Sequence, residues 1–193
     1  MHLSPRDVLL TSIVHDHVNI YPTFSDYQKP FRDLLAIMPD DGIDVASADE
    51  AGALAHAREY GKRVITYGVT NETADYHATD IHYSTRTHFI LTARGTALGE
   101  INISLLGAHN VENIVGAVAW ILERNLVSFD AIRSALADFK GIRRRLDNIA
   151  PASRVPVFEG FGSSYEKVRS AIQAINLHFP HKPLVIVFEP HTF

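Results

Sequence analysis

A chain of 193 residues, 46% hydrophobic and 21% charged, has the make-up of a soluble globular protein with a sizeable core. Its net charge of −4 excludes a general nucleic-acid or membrane-surface binder, which would carry a basic surplus. The absence of cysteine excludes a disulfide framework, a thiolate zinc site and a cysteine nucleophile. The apolar runs are too short to span a bilayer, and the opening residues lack a signal-peptide pattern, so a cytoplasmic protein is expected.

In chain order, Val8–Val14 reads as a buried strand, with His15-Asp16-His17 at its C-terminal end. After the turn at Tyr21-Pro22-Thr23, Ser25 is placed to cap a helix to about Met38, with Tyr27, Phe31, Leu34 and Leu35 on one face. Pro30 falls inside that helix. Asp49 is placed to cap a second helix, which Gly61 closes. Val64–Tyr67 follows as a short strand. Residues 88–93 and 98–104 alternate around Arg94-Gly95-Thr96 as a hairpin, with His77, His82 and His88 nearby as surface or core polar residues. Helices are expected over about 110–124 and, capped by Ser128, over 129–138. Gly141 to Pro151 breaks the pattern and marks a domain boundary. Strand 155–158, helix 165–177 and strand 184–188 then read as the opening βαβ of a parallel sheet. Both termini fall beside expected strands, so the chain reads as an incomplete piece of a larger enzyme.

Four short motifs bear on chemistry. His15-Asp16-His17 lies past a strand end, where α/β sheets gather ligands, and both residue types bind divalent ions; a polar loop is the plainer alternative. Gly107-Ala108-His109-Asn110-Val111-Glu112-Asn113 opens a helix, suited to anions and to a base edge, unless Asn110 merely caps it and Asn113 is solvated. Gly141-Ile142-Arg143-Arg144-Arg145-Leu146 offers guanidinium groups that fit phosphate oxygens, or serves as a solvated linker. Gly160-Phe161-Gly162-Ser163-Ser164 resembles a phosphate-cradling turn, or is a flexible loop in which a serine caps the next helix. No G-x-x-x-x-G-K-[ST] is present.

Taken in order, these motifs resemble the Mur ligases. Asp16-His17 is similar to that family's D-H motif, and the stretch His15–Phe24 is most similar to its murein peptide ligase branch. Leu106 to Asn113 resembles G-x-H-N-x-x-N, Gly141 to Leu146 resembles G-x-x-R-R-[FL], and Glu189-Pro190-His191 resembles a P-H element after a C-terminal-domain strand. The resemblance implies an α/β fold: the later part of a central ATPase domain over residues 1–146, then the start of a Rossmann-like C-terminal domain over 147–193. It implies ATP-driven amide-bond formation through an acyl phosphate, with ATP and Mg2+ as cofactors and UDP-N-acetylmuramate plus a peptide or amino acid as substrates. His17 would hold a magnesium ion, Asn110 and Asn113 would face the adenine, His109 would join them in binding the cofactor, and Arg145 would meet the phosphates.

The sequence departs from that family in places. Gly160 stands where an Asp would meet the ribose, with Glu159 beside it as a substitute, and Ser163-Ser164 stand where a His pair would be. Arg32 stands near the place where some members carry a carbamylated lysine, which fits the murein peptide and L-alanine ligases. A ligase adding L-alanine alone is the neighbouring reading. A nucleotide-binding module without chemistry, or a structural paralogue, is the reading from another class.

Overall fold

The computed structural model describes residues 4–162 and 165–189. The principal sheet has six strands in the order β1 (Val8–Leu10), β2 (Ile43–Ser47), β3 (Arg63–Gly68), β4 (Tyr76–Tyr83), β5 (Thr87–Ala93), β6 (Thr96–Ile103). Strands β1 to β4 run parallel, and β4, β5 and β6 form an antiparallel meander. Helices α1 (Phe24–Ala36) and α2 (Ala51–Tyr60) cover one face. Helix α3 (Ala108–Glu123) covers the other, and α4 (Phe129–Asp138) packs beside it. The expected α/β class is therefore present, with a mixed sheet between helical layers.

Period-two alternation sorts β2 between the two cores. Ile43 and Val45 join Val111, Val115 and Val118 of α3, whereas Ala46 joins Leu35, Met38, Ala53 and Ala57 beneath α1 and α2. Asp44 shares the second face, wholly buried, and neither of its carboxyl oxygens has a hydrogen-bond partner. Tyr27, Phe31, Leu34 and Leu35 of α1 all pack on that core, as their spacing predicts.

Strand β2 and strand β4 escaped the sequence reading. The first is five residues long and interrupted by Asp44, and the second is rich in polar residues, His77 and His82 among them. The strand expected over Val8–Val14 stops at Leu10, where its register with β2 ends. Beyond it, the Ile13 N–H turns to the Glu50 carboxylate at 2.9 Å.

Two helix caps also differ. Thr23, not Ser25, caps α1 in a reciprocal capping box with Asp26. Glu50, not Asp49, caps α2 by accepting from Gly52 and Ala53. Asp49 instead gathers the N–H groups of Val69, Thr70 and Asn71, and so ties the end of β2 to the loop after β3. Helix α3 starts two residues before the expected Asn110.

The C-terminal part departs most. Strand β7 (Arg145–Asn148) pairs antiparallel with β8 (Phe158–Gly160), and α5 (Tyr165–His178) follows. β7 lies across the expected division at 146/147. Among the described residues the expected parallel βαβ is not formed: residues 184–188 pair with no strand, and Val187 is 97% exposed. A β-strand exists through its neighbour's hydrogen bonds, and apolar character alone does not supply them.

Asp7 anchors the far side of the sheet. Its carboxylate accepts from Ile43 N–H at 2.8 Å, Trp120 Nε1 at 2.9 Å and Arg124 Nε at 2.9 Å. The Arg124 guanidinium chiefly, against the opposing effect of burial and helped by the Trp120 and Ile43 donors, holds the Asp7 carboxyl down at about 2. Its stabilisation is full above the ordinary value of 3.8 and is lost as pH falls through about 2. Asp7→Asn should cost about 1–2 kcal/mol at neutral pH after allowance for solvent screening. Urea titrations from pH 7 down to 2 should show the two proteins converging, and parallel curves would refute the assignment.

Candidate functional site

Helix α3 begins at an N-terminus that no side chain caps. Gly107 is the N-cap residue, with φ 88° and ψ 156°. Its own N–H donates to His178 Nε2 of α5 at 3.1 Å, and His178 Nδ1 in turn donates to the Ser84 carbonyl at 2.5 Å. Ala108 and His109 of the first turn of α3 line a cleft of about 600 Å³. Asp49, Thr70, His109 and Glu112 line it on one side, and Ser170, Gln173 and Ala174 of α5 line it on the other.

The cleft is lined largely by apolar surface, into which a few polar groups, Asp49, Thr70, His109 and Glu112 among them, are set partly desolvated. Burial lowers the His109 imidazole below its usual range, which keeps it neutral. Burial also raises the Glu112 carboxyl, against the opposing hydrogen bond from Ser47 Oγ at 2.7 Å. At Asp49 burial likewise favours the neutral acid, yet the Val69, Thr70 and Asn71 donors prevail and hold it ionised. Neutral imidazole, uncapped amides and amide side chains suit hydrogen bonding to a heterocycle or a phosphate oxygen.

Of the residues predicted from sequence, His109 lines this cleft. Asn110 lies beside it, but its amide donor is committed to the Leu106 carbonyl at 2.8 Å. Asn113 is exposed on the next turn. Ser47, Glu112 and Gln173 were missed. Glu112 stood within the H-N-x-x-N motif, but only the fold brings Ser47 and α5 to it.

His17 lies in a separate tight turn, with φ 54° and an exposed side chain. Asp16 accepts the His17 N–H at 2.8 Å and approaches Lys167 of α5 at 3.5 Å. The His17 amide, opposed by burial and aided by Lys167, keeps the Asp16 carboxyl below its usual value. Along α5, Lys167 and the cleft-lining Gln173 are about 9 Å apart at 1.5 Å per residue. Helix α5 is therefore flanked by both the His17 turn and the start of α3.

No group of three or more His, Asp or Glu side chains poised for a metal occurs among the described residues. The donors at His17 fit an ion that takes most of its ligands from elsewhere, such as magnesium held by phosphate oxygens and water. Arg145 is exposed on β7, its guanidinium 5.9 Å from the Phe161 ring centroid, and it does not line the cleft. Glu159 accepts from Arg144 Nε at 3.1 Å and lies outside the cleft too. Ser163, Ser164, Pro190 and His191 fall outside the described residues. Among those described, no helix is long and apolar enough to cross a membrane.

Comparison with known proteins gives this geometry a context. Residues 1–121 match the family model described as "Mur ligase middle domain". The chain is 31% identical over 194 aligned residues to a UDP-N-acetylmuramate–L-alanine ligase from Desulfotalea psychrophila, covering 100% of this chain and 42% of that one. It is 30% identical to the enzyme of the same name from Geobacter sp. (strain M21), covering 99% and 41%. The chain thus spans about two-fifths of the length of these relatives. Among solved structures, the UDP-N-acetylmuramate-alanine ligase MurC of Thermotoga maritima superposes with a TM-score of 0.79 at 21% identity, covering 97% of this chain and 42% of that one. The murein peptide ligase of Neisseria meningitides gives 0.57 at 20% identity, covering 68% and 39%. At these identities the structural matches establish the fold.

Proposed function

The chain belongs to the Mur ligase family, and from that premise we propose that its parent protein is an ATP-dependent ligase of peptidoglycan synthesis or recycling. The reaction joins UDP-N-acetylmuramate to an amine through an acyl phosphate. A carboxylate oxygen attacks the γ-phosphorus and ADP departs. The amine then attacks the acyl carbon, sheds a proton and displaces inorganic phosphate.

The observation that carries this reading is the start of α3, which no side chain caps, beside a largely apolar cleft that α5 flanks and that His109, Glu112 and Asp49 furnish with polar groups. His109 binds the nucleotide from within the cleft, Asn110 and Asn113 serve the adenine side of ATP from beside it, and Arg145 serves the phosphates from outside it. Glu159 is the candidate for the ribose, in exchange for its pairing with Arg144. His17 would hold magnesium, which would supply charge neutralisation between phosphate and carboxylate. Residues 1–146 act as part of the ATP-binding domain and 147–193 as part of the C-terminal domain.

The acceptor we favour is L-alanine, supported by the names of the relatives at about 30% identity. The murein peptide reading rests on the likeness of His15–Phe24 to that branch. The deciding experiment gives the intact protein UDP-N-acetylmuramate, ATP and magnesium with either L-alanine or the L-Ala-γ-D-Glu-meso-diaminopimelate peptide. ADP release and a new amide with L-alanine are expected. Turnover with the peptide alone would exchange the acceptor, and ADP release with neither would overturn the ligase assignment. In the same assay Arg145→Ala should weaken nucleotide interaction by about 1.5–3 kcal/mol, as for a charge-assisted hydrogen bond, with partial recovery in Arg145→Lys. Unchanged nucleotide dependence would remove Arg145 from the site.

A further inference from the structure

His17 occupies the left-handed region at φ 54°, a conformation that costs a non-glycine residue about 1–2 kcal/mol. Such a conformation persists only where its surroundings over-determine it. Three hydrogen bonds hold it locally: the His17 N–H donates to Asp16 at 2.8 Å, and the His17 carbonyl accepts from Ile20 and Tyr21 at 2.8 and 2.9 Å. These close the turn upon itself but do not fix it to the rest of the protein.

Asp16 approaches Lys167 of α5 at 3.5 Å, and His15 supplies the connection to α1. Its Nε2 lies 2.8 Å from the Tyr21 carbonyl, the residue whose N–H closes the His17 turn. A carbonyl only accepts, so Nε2 carries the proton and donates. The His15 ring also packs against Phe24 and Tyr27, with centroids 5.9 and 5.6 Å away. Tyr27 in turn meets Tyr21 at 5.6 Å and Phe31 at 5.3 Å, and both Tyr27 and Phe31 rest on the core beneath α1. One imidazole therefore joins the far end of the turn to a chain of rings rooted in α1.

We propose that His15 is a positioning residue, which presents the His17 imidazole to a divalent ion by clamping the left-handed turn against α1. This rests on the reading of His17 as a metal ligand. Residues that orient a ligand without touching the ion typically govern metal affinity by about 10–100-fold. His15 acts through backbone, holding the turn that aims the ligand. Its mark is in ion affinity more than in the rate at saturating ion.

The test uses the intact protein with Mn2+ as the probe and a non-hydrolysable ATP analogue present. His15→Phe keeps the ring and removes the donor, whereas His15→Gln restores a donor without the ring. His15→Phe should bind Mn2+ about tenfold more weakly and raise the magnesium KM in step, with kcat at saturating magnesium changed less than about twofold. His15→Gln should recover most of that affinity. By NMR, the three-bond HN–Hα coupling of His17 should change in His15→Phe and return towards wild type in His15→Gln. An unchanged coupling in His15→Phe would overturn the clamp. Wild-type Mn2+ affinity in His15→Phe, with affinity lost in His17→Ala, would overturn its effect on the ion. Wild-type Mn2+ affinity in His17→Ala would instead overturn the metal role of His17, and the proposal with it.

Discussion

Raising the pH from 4 to 8 should destabilise this protein through one residue, Asp44. Its carboxyl lies in β2 at 0% exposure with both oxygens unpartnered, and burial pushes it up to about 7 from an ordinary 3.8. The folded state therefore keeps a proton that the unfolded chain releases. Below 3.8 both states are protonated and the group exacts no ionisation penalty. Between 3.8 and about 7 stability falls with each unit of pH, and above about 7 the loss is complete. The shift corresponds to about 4 kcal/mol, a large share of the stability of an ordinary domain. Asp44→Asn has nearly the same shape and cannot ionise. It should match wild type near pH 4 and exceed it by about 4 kcal/mol at pH 8 in denaturant unfolding. Parallel profiles across that range would show that Asp44 is not ionising in the core.

Gly107→Ala is expected to be nearly as costly. At φ 88° and ψ 156° the backbone lies where a side chain is strained by about 1–3 kcal/mol. A Cβ there would also overlap the Ala174 Cβ on α5 and press on the His109 ring at 3.1 Å. Overpacking of this kind adds about 1–3 kcal/mol, so a total of about 2–6 kcal/mol is expected. Adding Ala174→Gly should recover the overlap but not the backbone strain, since the two have separate origins. Because Ala108, His109 and Ala174 line the cleft, Gly107→Ala should weaken nucleotide binding as well. A variant with wild-type stability would mean that α5 does not rest on the start of α3.

Much of this chain is legible from local rules. Ser128 caps α4 as its position predicts, and Gly61 closes α2. Arg94 and Gly95 both take positive φ, at 46° and 78°, as a two-residue hairpin turn between β5 and β6 requires. The apolar spacing of α1, α3 and α5 locates these helices to within two residues at most ends. The motifs that place the chain in its family are likewise contiguous, from His15-Asp16-His17 to the arginines before Leu146. The Ser128 cap, the Arg94-Gly95 turn and the helical faces depend on residues within about one turn of each other, so sequence alone determined them, whereas the caps of α1 and α2 fell one or two residues from their expected places.

Tertiary structure decided the rest. β2 carries the weak pattern Ile-Asp-Val-Ala-Ser and is a central strand only because β1 and β3 flank it. Residues 184–188 have the stronger apolar pattern yet pair with no strand among the described residues. Asp49 reads as a cap and instead gathers amides about twenty residues away, from Val69 to Asn71. The cleft joins Asp49, His109, Glu112 and Gln173 from elements distant in sequence. Strand partners, buried charge and shared clefts depend on which distant segments meet, and that information does not reside in any local window of residues.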